Sequence, residues 1–307
     1  MKERHSVHIE EATIVGGTHG NEYLGPYFIR KIEEQGLYQD NSLKVSTLLA
    51  NPEAFAQGIR FIDTDLNRSF TSDVLGSDNN VQPHEHVQPH EQQLARKINS
   101  QLNSERIIER FIIDLHSTTA NMGITLIVRD DQTFNLHAAS YVQQNIPEAR
   151  ILISNVDTTN NSKSLMTISN YGLTVEIGPI ANGVIRQDLF ETTEKVVSLL
   201  VKFLTLCTTR EEPRLPDAIT VYKARERVAF PRTQQGDLTG MVHKDLQDRD
   251  YRLLESGSPI FHSFNNQDIF YEGEPGYTVF INEAAYYRED IAFIITDKIS
   301  ISIPNEP

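Results

Sequence analysis

The chain has 307 residues, 39% of them hydrophobic, and carries 42 acidic against 28 basic residues for a formal net charge of −14. That length exceeds a single small core and fits one large domain plus a smaller one. The charge argues against nucleic acid as a partner, because phosphate binding needs a basic face; an anionic small-molecule substrate would need arginines clustered near the chemistry.

The opening stretch MKERHSVHIEEATIVGG has no apolar core of signal-peptide type. No later run approaches the ~18–20 apolar residues of a membrane span, so a cytoplasmic protein with no membrane partner is expected. Short runs rich in Val, Ile and Leu predict strands at residues 12–15, 43–49, 111–116, 124–128, 150–153 and 173–177. Between them, Leu24, Phe28 and Ile32 recur at helical spacing with Gly36 as a stop, and Leu94, Ile98 and Leu102 repeat the pattern. A longer stripe over 188–206 carries Leu189, Val196, Val197, Leu200 and Phe203. Strands alternating with helices predict an α/β domain with a largely parallel sheet. Residues 72–92 are polar and contain the duplication VQPHEH/VQPHEQ; they read as a solvated loop whose His84, His86 and His90 offer at most opportunistic metal binding. The single Cys207 excludes an internal disulfide framework and a thiolate cluster, so a metal must sit on imidazole and carboxylate. After it, 208–216 reads as a linker and the remainder as short strands. The expected division is a catalytic domain over 1–212 and a small all-β domain over 213–307.

The strongest chemical signal is GGTHGNE at 16–22, which follows the first strand. His19 and Glu22 stand three apart, so one turn brings both side chains to the same side. The pair sits at a strand's carboxyl end, where open α/β sheets place ligands. Alone, His-x-x-Glu recurs by chance. A third candidate ligand is His116, which closes the strand in FIIDLHSTT, with Asp114 two residues earlier on the same face and able to orient an imidazole. Glu176, in TVEIGP, is a lone carboxylate inside an apolar strand, costly to bury without a task and suited to general base work. Arg60, with Asn67 and Arg68 in DLNR, supplies guanidinium forks for a carboxylate or an oxyanion.

Taken together, GGTHGNE, NPEAF, DLNRSF, DLHSTTANMG, VEIGP, HKDLQDRDYRLL and FINEAAYY, in that order along nearly the whole chain, resemble the aspartoacylase and succinylglutamate desuccinylase family, closest to its aspartoacylase and aminoacylase-3 branch. The resemblance implies a zinc-carboxypeptidase-like mixed sheet with helices on both faces, followed by a β-rich domain that closes the active-site channel. It makes His19, Glu22 and His116 the ligands of one zinc per subunit and Glu176 the catalytic glutamate. Arg60 then polarises the scissile carbonyl, Asn67 and Arg68 hold a substrate carboxylate, Tyr286 reaches in from the second domain, and Arg227 stands where the family has a channel lysine. Three positions depart: the family's tyrosine and arginine ahead of the catalytic glutamate fall on Ser162 and Met166, with Lys163 as the substitute cation, and Ser117 replaces an asparagine. The implied reaction is zinc-dependent hydrolysis of an N-acyl amino acid, N-acetyl-L-aspartate first. The alternatives are an aminoacylase for aromatic or other N-acyl amino acids, a desuccinylase or carboxypeptidase of the same fold, and a non-catalytic zinc-binding protein. Two nitrogens and a carboxylate also accept cobalt, manganese or iron. The resemblance is compatible with a homo-oligomer.

Overall fold

The computed structural model describes residues 7–39, 41–76, 88–103, 109–154 and 163–303. The six strands expected in the first two-thirds are present as β1 (Glu11–Gly16), β2 (Lys44–Leu49), β3 (Arg110–Ser117), β4 (Ile124–Val128), β5 (Arg150–Ile153) and β6 (Tyr171–Ile177). The helices among them are α1 (Leu24–Gln35), α2 (Pro52–Gln57), α3 (Ser72–Leu75), α4 (His90–Asn103), α5 (Thr133–Asn145) and α6 (Gln187–Thr208). The C-terminal third contributes β7 (Ala218–Val228), β8 (Gly240–Val242), β9 (Leu253–Leu254), β10 (Pro259–Ser263), β11 (Asp268–Phe270), β12 (Gly276–Val279) and β13 (Phe293–Ser302).

Ten strands form one sheet in the order β2-β1-β3-β6-β4-β5-β7-β13-β12-β9. The run from β2 to β6 is parallel, β4 is antiparallel to β6, and β5 and β7 continue parallel from β4. Alternation along the strands sorts side chains to two faces. Phe111, Ile113 and Leu115 of β3 and Leu173, Val175 and Ile177 of β6 pack with Leu24, Phe28 and Ile32 of α1, with α5 and with α6. Ile112 faces the other way, into a second core with Val15, Leu66, Phe70 and the α4 residues Ala95, Ile98 and Leu102. Asp114, His116, Thr174 and Glu176 fall on this second face, so the candidate site grows out of the alternation itself.

Three stretches go beyond the sequence reading. The C-terminal third is β-rich, as expected, and its β7, β13, β12 and β9 extend the main sheet, because Leu152 and Ile153 of β5 pair with Tyr222 and Lys223 of β7. The strands β8, β10 and β11 form a separate antiparallel sheet over a core that includes Phe230, Phe261 and Phe293. The stretch 72–92 is only partly loop: 72–75 is helical and His90 begins α4, while His84 and His86 lie outside the described residues. Helix α5 carries no amphipathic stripe, since Asn135, Leu136, Ala138, Ala139, Ser140, Tyr141 and Val142 are all buried.

Candidate metal centre and active site

Two close backbone approaches shape the GGTHGNE turn. A Cβ on Gly16 would lie 2.6 Å from the carbonyl carbon of Gly25, and one on Gly20 would lie 2.2 Å from that of Ala54. Only glycine lets the strand end, the start of α1 and α2 meet here. His19 and Glu22 sit in the turn ahead of α1 and not inside the helix; Glu22 N donates to His19 O at 3.3 Å, which brings both side chains inward. His116 is the penultimate residue of β3, and in the parallel register its partner on β6 is Glu176.

These side chains converge. His19 Nδ1 lies 2.7 Å from Glu22 Oε1, and His116 Nδ1 lies 3.0 Å from Glu22 Oε2. Ser117 N also donates to Glu22 Oε2 at 3.0 Å, fixing the carboxylate. The far nitrogens have their own carboxylates: His116 Nε2 is 2.9 Å from Asp114 Oδ2, and His19 Nε2 is 3.0 Å from Asp65 Oδ1. Thr18 Oγ1 holds Asp114 in turn, at 2.9 Å. Arg60 reaches the same knot, with Nη1 3.0 Å from Glu22 Oε1 and Nη2 2.9 Å from His19 Nε2. One ligand atom from each of His19, Glu22 and His116 lies within 4.8 Å of the others, and all three residues are buried.

The residues fit a divalent cation on two counts. Both imidazoles turn an Nδ1 to an oxygen of the Glu22 carboxylate, so two nitrogens and a carboxylate converge as a divalent cation takes them. Glu22, Asp65 and Asp114 also bring three carboxylates to the cluster, of which Arg60 pairs with Glu22 and Asp65, and a divalent cation balances the negative excess. With both Nε2 atoms held by carboxylates, each Nδ1 is directed at the shared ligand position, the arrangement that orients metal-binding histidines. Burial alone would raise Glu22, but the two imidazoles outweigh it and hold its carboxyl well below the usual range. Burial would depress His116, but Asp114 and Glu22 raise it well above the ordinary imidazole value. Burial pushes Glu176 up to about 8; His116 opposes this, and Glu22 and Glu283 add to it.

A pocket opens over this cluster. His19, Glu22, His116, Glu176, Arg60, Asn67, Arg68 and Tyr286 all line it. Met166 is buried and lines it too. Asn67 Oδ1 accepts from Leu165 N at 2.9 Å, and Arg68 Nη2 pairs with Glu289 at 2.8 Å. Two expected binding residues are not there. Lys163 is exposed ahead of the 3-10 turn Leu165–Ile168, and Arg227 is exposed on β7, where it pairs with Ile294; neither lines the pocket. Ser162 lies outside the described residues.

Four residues that the motifs did not single out matter here. Asp65 orients His19. Arg129 lines the pocket. Glu91 accepts hydrogen bonds from the backbone N–H groups of Ile62, Asp63 and Thr64, which carry the loop between Arg60 and Asp65. Glu283, buried in FINEAAYY, accepts from Thr119 N at 2.8 Å, from Ala120 N at 3.1 Å and from both threonine hydroxyls of the loop after His116. A carboxylate inside an apolar run, the signal that marked Glu176, was equally present at Glu283.

Two imidazoles and a carboxylate at the carboxyl edge of a mixed sheet, with a further buried carboxylate in register beside them, define a site of metallohydrolase type. The profile of the succinylglutamate desuccinylase/aspartoacylase catalytic domain matches residues 8–204, and that of the AstE/AspA barrel-sandwich hybrid domain matches 217–298. A probable aspartoacylase of Acaryochloris marina is 39% identical over 96% of this chain and 98% of its own length. The N-acyl-aromatic-L-amino acid amidohydrolase (carboxylate-forming) of Mus musculus is 39% identical over 95% of this chain and 91% of its own. The crystal structure of murine aminoacylase 3 superimposes with a TM-score of 0.89 at 38% identity, covering 98% of this chain and 99% of that one. The chain therefore belongs to the succinylglutamate desuccinylase/aspartoacylase family and is an amidohydrolase. A succinylglutamate desuccinylase from Vibrio cholerae shares the fold at 16% identity, with a TM-score of 0.61. Among the described residues no helix is long and apolar enough to cross a membrane.

Proposed function

We propose that this chain is a zinc-dependent hydrolase of N-acyl amino acids, acting on N-acetyl-L-aspartate to release acetate and L-aspartate. The observation that carries the reading is the register of β3 and β6, which sets Glu176 opposite His116 beside the triad with Glu22 and His19. The names of the relatives, aspartoacylase and N-acyl-aromatic-L-amino acid amidohydrolase, support the bond type.

His19, Glu22 and His116 would hold the zinc. A zinc ion there supplies Lewis acidity, making a water more acidic and polarising the acyl carbonyl. Glu176 takes a proton from the attacking water and returns it to the departing amine. Burial raises its carboxyl to about 8, which suits a group that both accepts and returns a proton. Arg60, beside Glu22 and His19, stabilises negative charge developing on the acyl oxygen. Arg68, with the Nδ2 group of Asn67, holds the α-carboxylate and fixes orientation. Burial raises the Tyr286 hydroxyl, with Arg68 opposing, so it stays protonated and donates a hydrogen bond to the substrate.

One observation favours a second reading: Ile127, Met166 and Phe280 give the pocket an apolar wall suited to an aromatic side chain. Comparing kcat/KM on N-acetyl-L-aspartate and N-acetyl-L-tyrosine tests both. Absence of turnover on either, with zinc bound, would contradict the reaction itself.

A further inference from the structure

The pocket contains a cation that the catalytic roles above do not use. Arg60 is committed to Glu22 and Asp65, and Arg68 stands beside Asn67 with Glu289 as its partner. Arg129 follows β4, whose Ile127 also faces the pocket. Its Nε donates to Asp130 Oδ2 at 3.2 Å and its Nη1 to Met166 O at 3.3 Å. The ion pair joins neighbouring residues whose side chains are 35% and 37% exposed, so solvent holds it to a weak interaction. Nη2 and the second hydrogen of Nη1 have no protein acceptor among the described residues.

The 3-10 turn Leu165–Ile168 places this guanidinium relative to the α-carboxylate site. Asn67 grips the turn at Leu165 N, and Arg129 grips it at the carbonyl of the next residue. The two groups therefore grip adjacent residues of one turn, and both line the same pocket. An anion with two carboxylates can seat one on Asn67 and Arg68 and the other on the Arg129 donors that have no acceptor among the described residues. Guanidinium forks take carboxylates bidentately, and in a chain of net charge −14 a second negative charge needs such a local cation. Ile127 and Met166 then pack against the methylenes between the two charges.

We infer that Arg129 is a specificity-determining residue, binding the side-chain carboxylate of the substrate and directing the chain to N-acyl aspartate or N-acyl glutamate over neutral and aromatic N-acyl amino acids. This rests on the proposed N-acyl amino acid hydrolysis.

The test uses the zinc-loaded protein and kcat/KM on the N-acetyl derivatives of L-aspartate, L-glutamate, L-methionine and L-tyrosine, for wild type, Arg129→Gln and Arg129→Lys. Calorimetric binding of L-aspartate gives a readout without turnover, and thermal unfolding verifies that the variants fold. Wild type should prefer the acidic pair. Arg129→Gln should lower the acidic-to-methionine ratio about 10- to 100-fold, the range of a charge-assisted hydrogen bond, mainly through KM. It should weaken L-aspartate binding in parallel, and Arg129→Lys should recover part of both. A wild-type preference for methionine or tyrosine, an equal loss on all four compounds, or a loss greatest on tyrosine (a guanidinium stacking on a ring) would overturn the inference and leave the reaction standing. No turnover of any of the four would overturn both.

Discussion

Removing the Glu91 carboxylate should loosen the loop that carries Arg60 and Asp65. Glu91 is fully buried in the first turn of α4. Its Oε1 accepts from Ile62 N at 2.6 Å and Asn51 Nδ2 at 3.1 Å, and its Oε2 accepts from Asp63 N and Thr64 N, both at 3.0 Å. Glu91→Ala strands three backbone donors and one amide. Each unsatisfied group costs ~1–3 kcal/mol, and partial hydration of the loop softens the sum, so a loss of about 3–6 kcal/mol is expected. Against a typical stability of about 5–15 kcal/mol the variant should still fold. Urea unfolding and kcat/KM are the assays, and turnover should fall further than the folded fraction, because Arg60 and Asp65 lose their anchor. The same carboxylate has a pH signature. Burial alone would raise it, but the N–H groups of Thr64, Ile62 and Asp63 outweigh that and lower it. Its contribution is therefore complete above the unfolded value of about 4.3 and is lost as pH falls through the lower folded value. Glu91→Gln should lack that acid limb. A Glu91→Ala variant within ~1 kcal/mol of wild type, with normal turnover, would refute the reasoning.

Three further outcomes are expected. Glu176→Gln should cut kcat by about 10²- to 10⁴-fold while metal content is retained; near-normal turnover would remove Glu176 from the proton transfers. Glu283→Ala should cost about 2–5 kcal/mol and at least ~10-fold in kcat/KM, because it strips the acceptor from Thr119 N, Ala120 N and two hydroxyls next to His116; an unchanged unfolding midpoint would contradict this. Burial pushes Asp250 up to about 7, with the Ile281 N–H opposing and Asp248 adding, and its Oδ2 has no hydrogen-bond partner among the described residues. A raised acid favours the fold only while protonated, so stability should decline as pH rises from about 4 through about 7. Asp250→Asn should raise the melting temperature at pH 8 and leave it unchanged near pH 4.

How far the sequence could be read follows from what each signal reports. Buried parallel strands announce themselves as apolar runs, and β4 and β5 fall at the expected residues. The α1 and α6 stripes were legible because one face of each helix packs on the sheet. Helix α5 is buried too evenly to show a stripe, and the β5–β7 junction is a long-range pairing to which local periodicity is blind. At the site, His19, Glu22 and His116 were readable because each terminates or follows a strand, and Glu176 because a carboxylate in an apolar strand is conspicuous. Arg129 was not, since an arginine next to two aspartates looks like a solvated surface. Lys163 shows the converse error: counting along the chain supplied a cation, but the backbone ahead of Leu165 leaves it exposed.

The most direct test of the central claim is metal content paired with turnover on N-acetyl-L-aspartate, before and after chelation and in His116→Ala. The account predicts about one zinc ion per wild-type chain, turnover lost on chelation and restored by zinc, and neither bound zinc nor turnover in the variant. Full turnover by metal-free protein, or stoichiometric zinc retained without His116, would contradict it.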